Sequence, residues 1–180
     1  MGSRYDISVF KGATLEQFRR AIPDPAAIGD AVPGPWQGPS GTTVAQIDTD
    51  FGSNVVLVAA PMKTPRGIDS LLAEKLGAEG LFATVWDSVS TYSLAVVGDG
   101  IDRQLSYEPQ DWEDDGEADP AFGVEQSGAR LPEEPGWPEL DEAYIQVVFT
   151  KRCGIDPGRL GDAEGPWLAI DPDRLRPSRG

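Results

Sequence analysis

The run Asp111-x-Glu113-x-Asp115-Gly116-Glu117-x-Asp119 sets acidic side chains at every second position, with a glycine in the middle. A calcium loop gathers its oxygen ligands at that spacing. Such a loop closes on a bidentate glutamate at its twelfth position, and here that position is Phe122. The flanks lack helical periodicity as well, so an EF-hand is excluded and no metal site is expected. What the run offers is electrostatic. Between Glu108 and Glu142 stand thirteen acidic residues and one basic residue, Arg130, which places −12 of the chain's −15 charge in this stretch. Such a field repels nucleic acid and anionic membranes and attracts basic surfaces. Equally, a charge run of this kind can be a solvated loop that aids solubility.

Few other residues carry chemistry. The chain has no histidine, which removes the Ser-His-Asp triad, the Cys-His pair and histidine metal sites. Cys153 is the single cysteine, so no internal disulfide or thiolate cluster can form; it reads as a small hydrophobe near a helix end. No GxxxxGK loop, GxGxxG fingerprint or GxSxG elbow occurs. Asp50, Asp87 and Glu108 flank expected strands. Paired carboxylates there could do acid–base work on a sugar, but nothing in the spacing brings them together. Hence no catalytic residue and no cofactor is assigned. Asp87 follows Trp86, and its ordinary reading is an Asx-turn to the amides of Ser88 or Ser90. Exposed in a groove beside Trp36 and Trp86, it would instead recognise a basic partner. The candidate binding residues are thus Trp36, Trp86, Asp87, Asp111, Trp112, Glu113, Asp114, Asp115, Glu117 and Asp119.

The elements that must position these residues are legible in part. Residues 5–10 alternate as a first strand or extended entry. Thr14 and Gln17 form a capping box for a short helix over 14–22 that covers a sheet edge, and Pro23 and Pro25 stop it. Residues 23–42 are rich in proline and glycine and read as a loop pinned by Trp36. Strands at 43–48 and 54–60 suggest a hairpin. Ile68, Leu71, Leu72 and Leu76 give the stripe of an amphipathic helix, with Thr64 as cap, Pro65 at its first position and Gly77 ending it. Leu81 to Asp87 carries large groups on both faces, so it is expected to be a central strand. Residues 92–97 and 101–107 follow around the Gly98-Asp99-Gly100 turn, the second as an edge with one wet face. Residues 108–139 read as one long acidic loop. Residues 140–152 read as a helix, with acids at the start and Lys151 and Arg152 at the end; YIQVVF leaves a strand as the competing reading. Residues 166–170 form a last apolar strand or anchor.

These elements imply one α+β domain over residues 1–180, with a mainly antiparallel, twisted sheet of five or six strands and two or three packed helices. No stretch reaches eighteen apolar residues and the start lacks a long apolar segment, so a cytoplasmic protein with no membrane contact is expected. The order of elements in 55–108 and 140–160 resembles a family of small uncharacterised α+β domains from high-GC actinobacteria. The features that carry it are Val85-Trp86-Asp87, the Tyr92 to Gly100 strand and turn, and Cys153-Gly154-Ile155-Asp156-Pro157. The resemblance implies no catalytic set.

Three functions are consistent with these residues. One is a non-enzymatic acidic protein that binds a basic macromolecular surface, in concrete form an immunity or antitoxin protein. Another is an accessory or regulatory domain that binds through its aromatic surface. The third is a histidine-free enzyme built on carboxylates.

Overall fold

The computed structural model describes residues 4–36, 41–59, 67–108 and 123–177. Its centre is the N-terminal segment. Strand β1 (Arg4–Lys11) pairs antiparallel with β4 (Gly52–Ala59) on one side and β5 (Glu79–Trp86) on the other. The remaining strands are β2 (Ile28–Val32), β3 (Thr42–Thr49), β6 (Thr91–Gly98), β7 (Ile101–Tyr107), β8 (Val124–Ser127) and β9 (Trp167–Ile170). They form one antiparallel sheet in the order β2-β9-β3-β4-β1-β5-β6-β7-β8. Three α-helices pack on it: α1 (Leu15–Ala21), α2 (Ile68–Leu76) and α3 (Glu142–Cys153). Among the described residues there are also four short 3-10 helices. The chain is therefore a single α+β domain with a larger sheet and more helical segments than expected.

The alternation along β1 divides the core in two. Tyr5, Ile7 and Val9 point to the face that α3 covers. There Tyr144, Ile145, Val148, Phe149 and Cys153 lie buried along one side of α3. Full burial of one such large apolar side chain contributes roughly 1.5–3 kcal/mol, so this stripe outweighs the β propensity of YIQVVF. Asp141 caps α3 by accepting from the Tyr144 amide at 2.7 Å. On the other face Phe10 packs with Phe18 of α1 and Phe82 of β5, beside Ile68 and Leu72 of α2.

Several expectations change. The capping box of Thr14 and Gln17 forms. However, α1 lies on the sheet face beside α2 and not over an edge, because Phe18 and Ile22 need a core to enter. Helix α2 is described from Ile68, with Gly67 as N-cap; Thr64 and Pro65 lie outside the described residues. Gly77 ends α2 in the left-handed conformation. The Pro/Gly-rich span 23–42 contains β2, which joins the sheet through β9. The span 108–139 likewise contains β8, so β7 is not the edge.

Gly128 is what lets β8 leave the sheet. Its φ is +79°, and a Cβ there would sit 1.9 Å from the Asp102 carbonyl oxygen. Backbone strain alone costs about 1–2 kcal/mol, and the clash adds to it. Gly128→Ala is expected to lower stability by at least about 2 kcal/mol in urea unfolding, with faster amide exchange in β8. A near-neutral variant would show that the turn after β8 yields freely.

Candidate functional site

The predicted site residues that the structure describes gather at one end of the sheet, where Arg4 of β1 faces Trp86 of β5. They divide between the two faces. On the α3 face, Tyr5 and Tyr92 lie in the core with only their hydroxyls engaged outward. The Tyr5 hydroxyl donates to Glu142 Oε1 at 3.1 Å, and the Tyr92 hydroxyl donates to Asp87 Oδ1 at 2.5 Å. Asp87 therefore does not make the expected Asx-turn. The turn is closed instead by the Ser90 amide on the Asp87 carbonyl. Trp36 packs its ring against Tyr5 at a centroid distance of 5.5 Å and remains 47% exposed. Its loop is fastened by Thr43 Oγ1, which donates to the Pro35 carbonyl at 2.5 Å.

Several carboxylates act on the two phenols of this face. Burial, then the Glu142 carboxylate, pushes the Tyr5 phenol well above its ordinary range, and Asp156 and Asp87 add to the push. Burial, then Asp87, does the same to Tyr92, with Asp141 and Glu142 contributing. Asp87, Asp141, Glu142 and Asp156 thus share one field. Among the described residues none of the four has an ion-pair partner. Their hydrogen bonds come from neutral groups, which satisfy lone pairs and leave the charge in place.

Trp86 belongs to the opposite face. The Arg4 guanidinium stacks over its ring at 4.1 Å, and its Nε1 donates to Ser88 Oγ at 3.0 Å. Trp36 and Trp86 therefore do not share one surface. Trp86 stands at the end of a groove of about 1120 Å³ over β1 and β5 to β8, beside the N-terminal turn of α2. Helices α1 and α2 cover only part of this sheet face, and the strand residues beyond them are polar and small. The register aligns Asp6, Thr84, Ser93, Ser106 and Glu125 in one row across five strands. Ser8, Phe82, Ala95, Gln104 and Ser127 form the next row.

At one wall of the groove stands Asp69, in the first turn of α2. Burial pushes its carboxyl up to about 6; a hydrogen bond from Ser8 opposes that shift, and Asp6 adds to it. Asp69 Oδ1 is shut off from solvent and has no hydrogen-bond partner among the described residues. Asp6 itself accepts from Thr84 Oγ1 at 2.7 Å.

The other candidates separate. Asp50 sits in the β3–β4 turn, at the end of the sheet opposite Asp87. Glu108 lines the groove, whereas Asp87 is bound on the α3 face, so these three carboxylates do not converge. Asp111, Trp112, Glu113, Asp114, Asp115, Glu117 and Asp119 lie outside the described residues. The strands flanking them leave the sheet together, since Tyr107 pairs with Val124. Cys153 is buried, with its thiol pushed up to about 11 by burial, so it is not a nucleophile. Among the described residues no group of three or more acids or cysteines could hold a metal ion, and no helix is long and apolar enough to cross a membrane.

Sequence reasoning missed Asp6, Asp69, Tyr92 and Glu142. Asp6 and Tyr92 are ordinary alternation residues in strands, and Asp69 and Glu142 are ordinary acids in a first helical turn. Only the three-dimensional packing of α2 and α3 against β1 and its neighbours makes them a site. Comparison with protein-family models, with curated proteins and with solved structures yields no match, so nothing there supports the family resemblance expected from residues 55–108 and 140–160.

Proposed function

We propose that the chain is a non-enzymatic binding protein that docks onto a basic macromolecular surface, as an immunity or antitoxin protein masks a cationic active site. The observation that carries this reading is the set of uncompensated carboxylates Asp87, Asp141, Glu142 and Asp156 beside the exposed ring of Trp36. A half-exposed tryptophan stacked on Tyr5, whose hydroxyl these carboxylates act on, suits a lysine- or arginine-rich face, since it offers both a hot-spot ring and a steering field. The acidic run at 111–119 carries charge of the same sign.

The test uses purified basic products of neighbouring genes, with binding measured at low and high salt. Wild type is expected to bind one of them, and salt to slow association. Asp87→Asn with Glu142→Gln is expected to slow association at least about tenfold at low salt. A second reading, an accessory domain docking through its aromatic surface, is favoured by the exposure of Trp36. It would hold if Trp36→Ala abolished binding while the charge-neutral pair and salt had no effect. No partner among those products would remove the immunity form of the proposal.

A further inference from the structure

Trp36 is not alone on the α3 face. Trp137 is 40% exposed and rests, like Trp36, on a tyrosine of the same core. We infer that an arginine-rich polypeptide segment lies across the first turn of α3 and seats one guanidinium group on each of these two rings. This surface extends the docking end and rests on the docking proposal for the sign of its partner. Both rings are held in place. Trp36 leans on Tyr5, and Trp137 meets Tyr144 edge to face at 6.4 Å, with the planes at 88°. Each tyrosine is itself tied down, Tyr5 by donating to Glu142 and Tyr144 by donating to Glu134. The loops that carry the tryptophans are fastened too: Thr43 Oγ1 donates to the Pro35 carbonyl, and Arg130 Nη2 donates to the Pro135 carbonyl. A single exposed tryptophan is ordinary, whereas two supported in the same way on one face are not. A ring that is exposed yet already ordered loses little freedom on binding, which is what an anchor requires.

Helix geometry sets the two rings on opposite flanks of α3. Glu142, which meets Tyr5, and Tyr144, which meets Trp137, are two residues apart and so about 200° apart around the axis. Ala143 falls between them at the crest, is exposed, and leaves a low crossing. Tyr5 lies on β1, and Tyr144 reaches Glu134, the partner of Arg103 on β7. Strands β1 and β7 are three interstrand steps apart, about 14 Å, which about four residues of extended chain cover. Charge then selects the occupant. Between Trp137 and Ala143 the chain carries Glu139, Asp141 and Glu142, and none of them has an ion-pair partner among the described residues. Arg130, on the Trp137 side, is engaged by the Pro135 carbonyl and Glu134. A second copy of the chain would set like charge against like, and nucleic acid or anionic lipid would be repelled in the same way. Arginine suits the path better than lysine, because its planar guanidinium stacks on an aromatic face and still donates to carboxylates.

Titration calorimetry at pH 7.5 and moderate salt tests this with a peptide of about eight arginines, roughly twice the length of the path. A lysine peptide of equal length is the charge-matched control. Wild type is expected to bind the arginine peptide at least about tenfold more tightly than the lysine peptide. Trp36→Ala and Trp137→Ala are each expected to weaken the arginine peptide about tenfold. Trp137→Phe keeps a ring and is expected to retain most of the affinity, which separates a lost contact from a lost fold. Phe51→Ala, which removes an exposed ring in the β3–β4 turn, is expected to change nothing. The inference is overturned if the arginine peptide gives no heat at millimolar concentration, if the lysine peptide binds as well, which marks diffuse charge attraction, or if Trp137→Ala binds as wild type does. That last result leaves the docking proposal standing on Trp36. Self-association that depends on Trp137, seen by sedimentation equilibrium, would assign the rings to a second copy and overturn it as well. Conversely, a protein that binds the arginine peptide through both rings but none of the basic products of neighbouring genes loses the immunity form and keeps this surface.

Discussion

Glu134→Ala is expected to destabilise the protein by about 3–5 kcal/mol, the largest loss from any single side chain outside the apolar core. Glu134 and Arg103 form a buried pair, with side chains 1% and 5% exposed. Arg103 donates through Nε and Nη2 to the two oxygens of Glu134 at 2.7 and 3.0 Å, and through Nη1 to the Ser127 and Gly128 carbonyls. Glu134 also accepts from the Tyr144 hydroxyl at 2.8 Å and from the Leu131 amide at 3.0 Å. One carboxylate thus ties β7, the turn after β8, the 131–134 segment and α3 together. Its removal strands a guanidinium in the core, and that uncompensated charge is what costs most. Burial raises the Glu134 carboxyl, but Arg103, the Leu131 amide and Tyr144 outweigh it and hold the group below its ordinary value. A carboxylate with a depressed folded value contributes stability above its unfolded value of about 4.5 and loses that contribution as pH falls through the folded one. Urea unfolding at pH 7 measures the loss. If Glu134→Leu with Arg103→Met is less destabilised than Glu134→Ala, the cost is the stranded charge; an equal loss would place it in the surrounding bonds.

This pair also marks how far the sequence could be read. Arg103 falls in step with Ile101, Leu105 and Tyr107 and alternates with Asp102, Gln104 and Ser106, so its place on the inner face is written in the strand pattern. Its partner was not, because Glu134 stands in a stretch that, by composition, is an acidic loop. Local signals sufficed where the chain closes on itself within a few residues: the Thr14–Gln17 box, the β3–β4 hairpin, the Gly98-Asp99-Gly100 turn and the Gly77 stop. They failed where pairing is long-range. Strand β2 lies in a proline- and glycine-rich span and exists because β9, more than a hundred residues later, supplies its partner. By its pattern β1 reads as a first strand or an extended entry, with Asp6 and Ser8 alternating with Tyr5, Ile7 and Val9. Those two polar residues sit in the central strand because they face Asp69 and the groove. The break in the apolar pattern marks the polar groove, and without α2 placed above it the pattern has no direction.

Asp69→Asn is expected to make the protein more stable at pH 7.5. An aspartate whose folded value is raised from 3.8 to about 6 is one that the fold holds better protonated. Between those two values the native state binds more protons than the unfolded chain. Stability therefore falls as pH rises through this window and then levels off above it. The charged form at pH 7.5 consequently costs on the order of 3 kcal/mol. The N-terminal turn of α2 offsets part of this, since its dipole favours a negative charge by up to about 1 kcal/mol. Asparagine keeps the shape, removes the buried charge and gives up that dipole contribution, which leaves a net gain of about 2 kcal/mol. Urea midpoints for wild type and variant at a series of pH values are the measurement. The two curves should lie apart at pH 7.5, approach each other as pH falls below about 6, and meet near 3.8. The difference between them isolates Asp69 from carboxylates that titrate in the opposite sense, such as Glu134 and Asp48. A variant that is no more stable than wild type, with curves that stay parallel down to pH 4, would mean that the fold already compensates the Asp69 carboxylate.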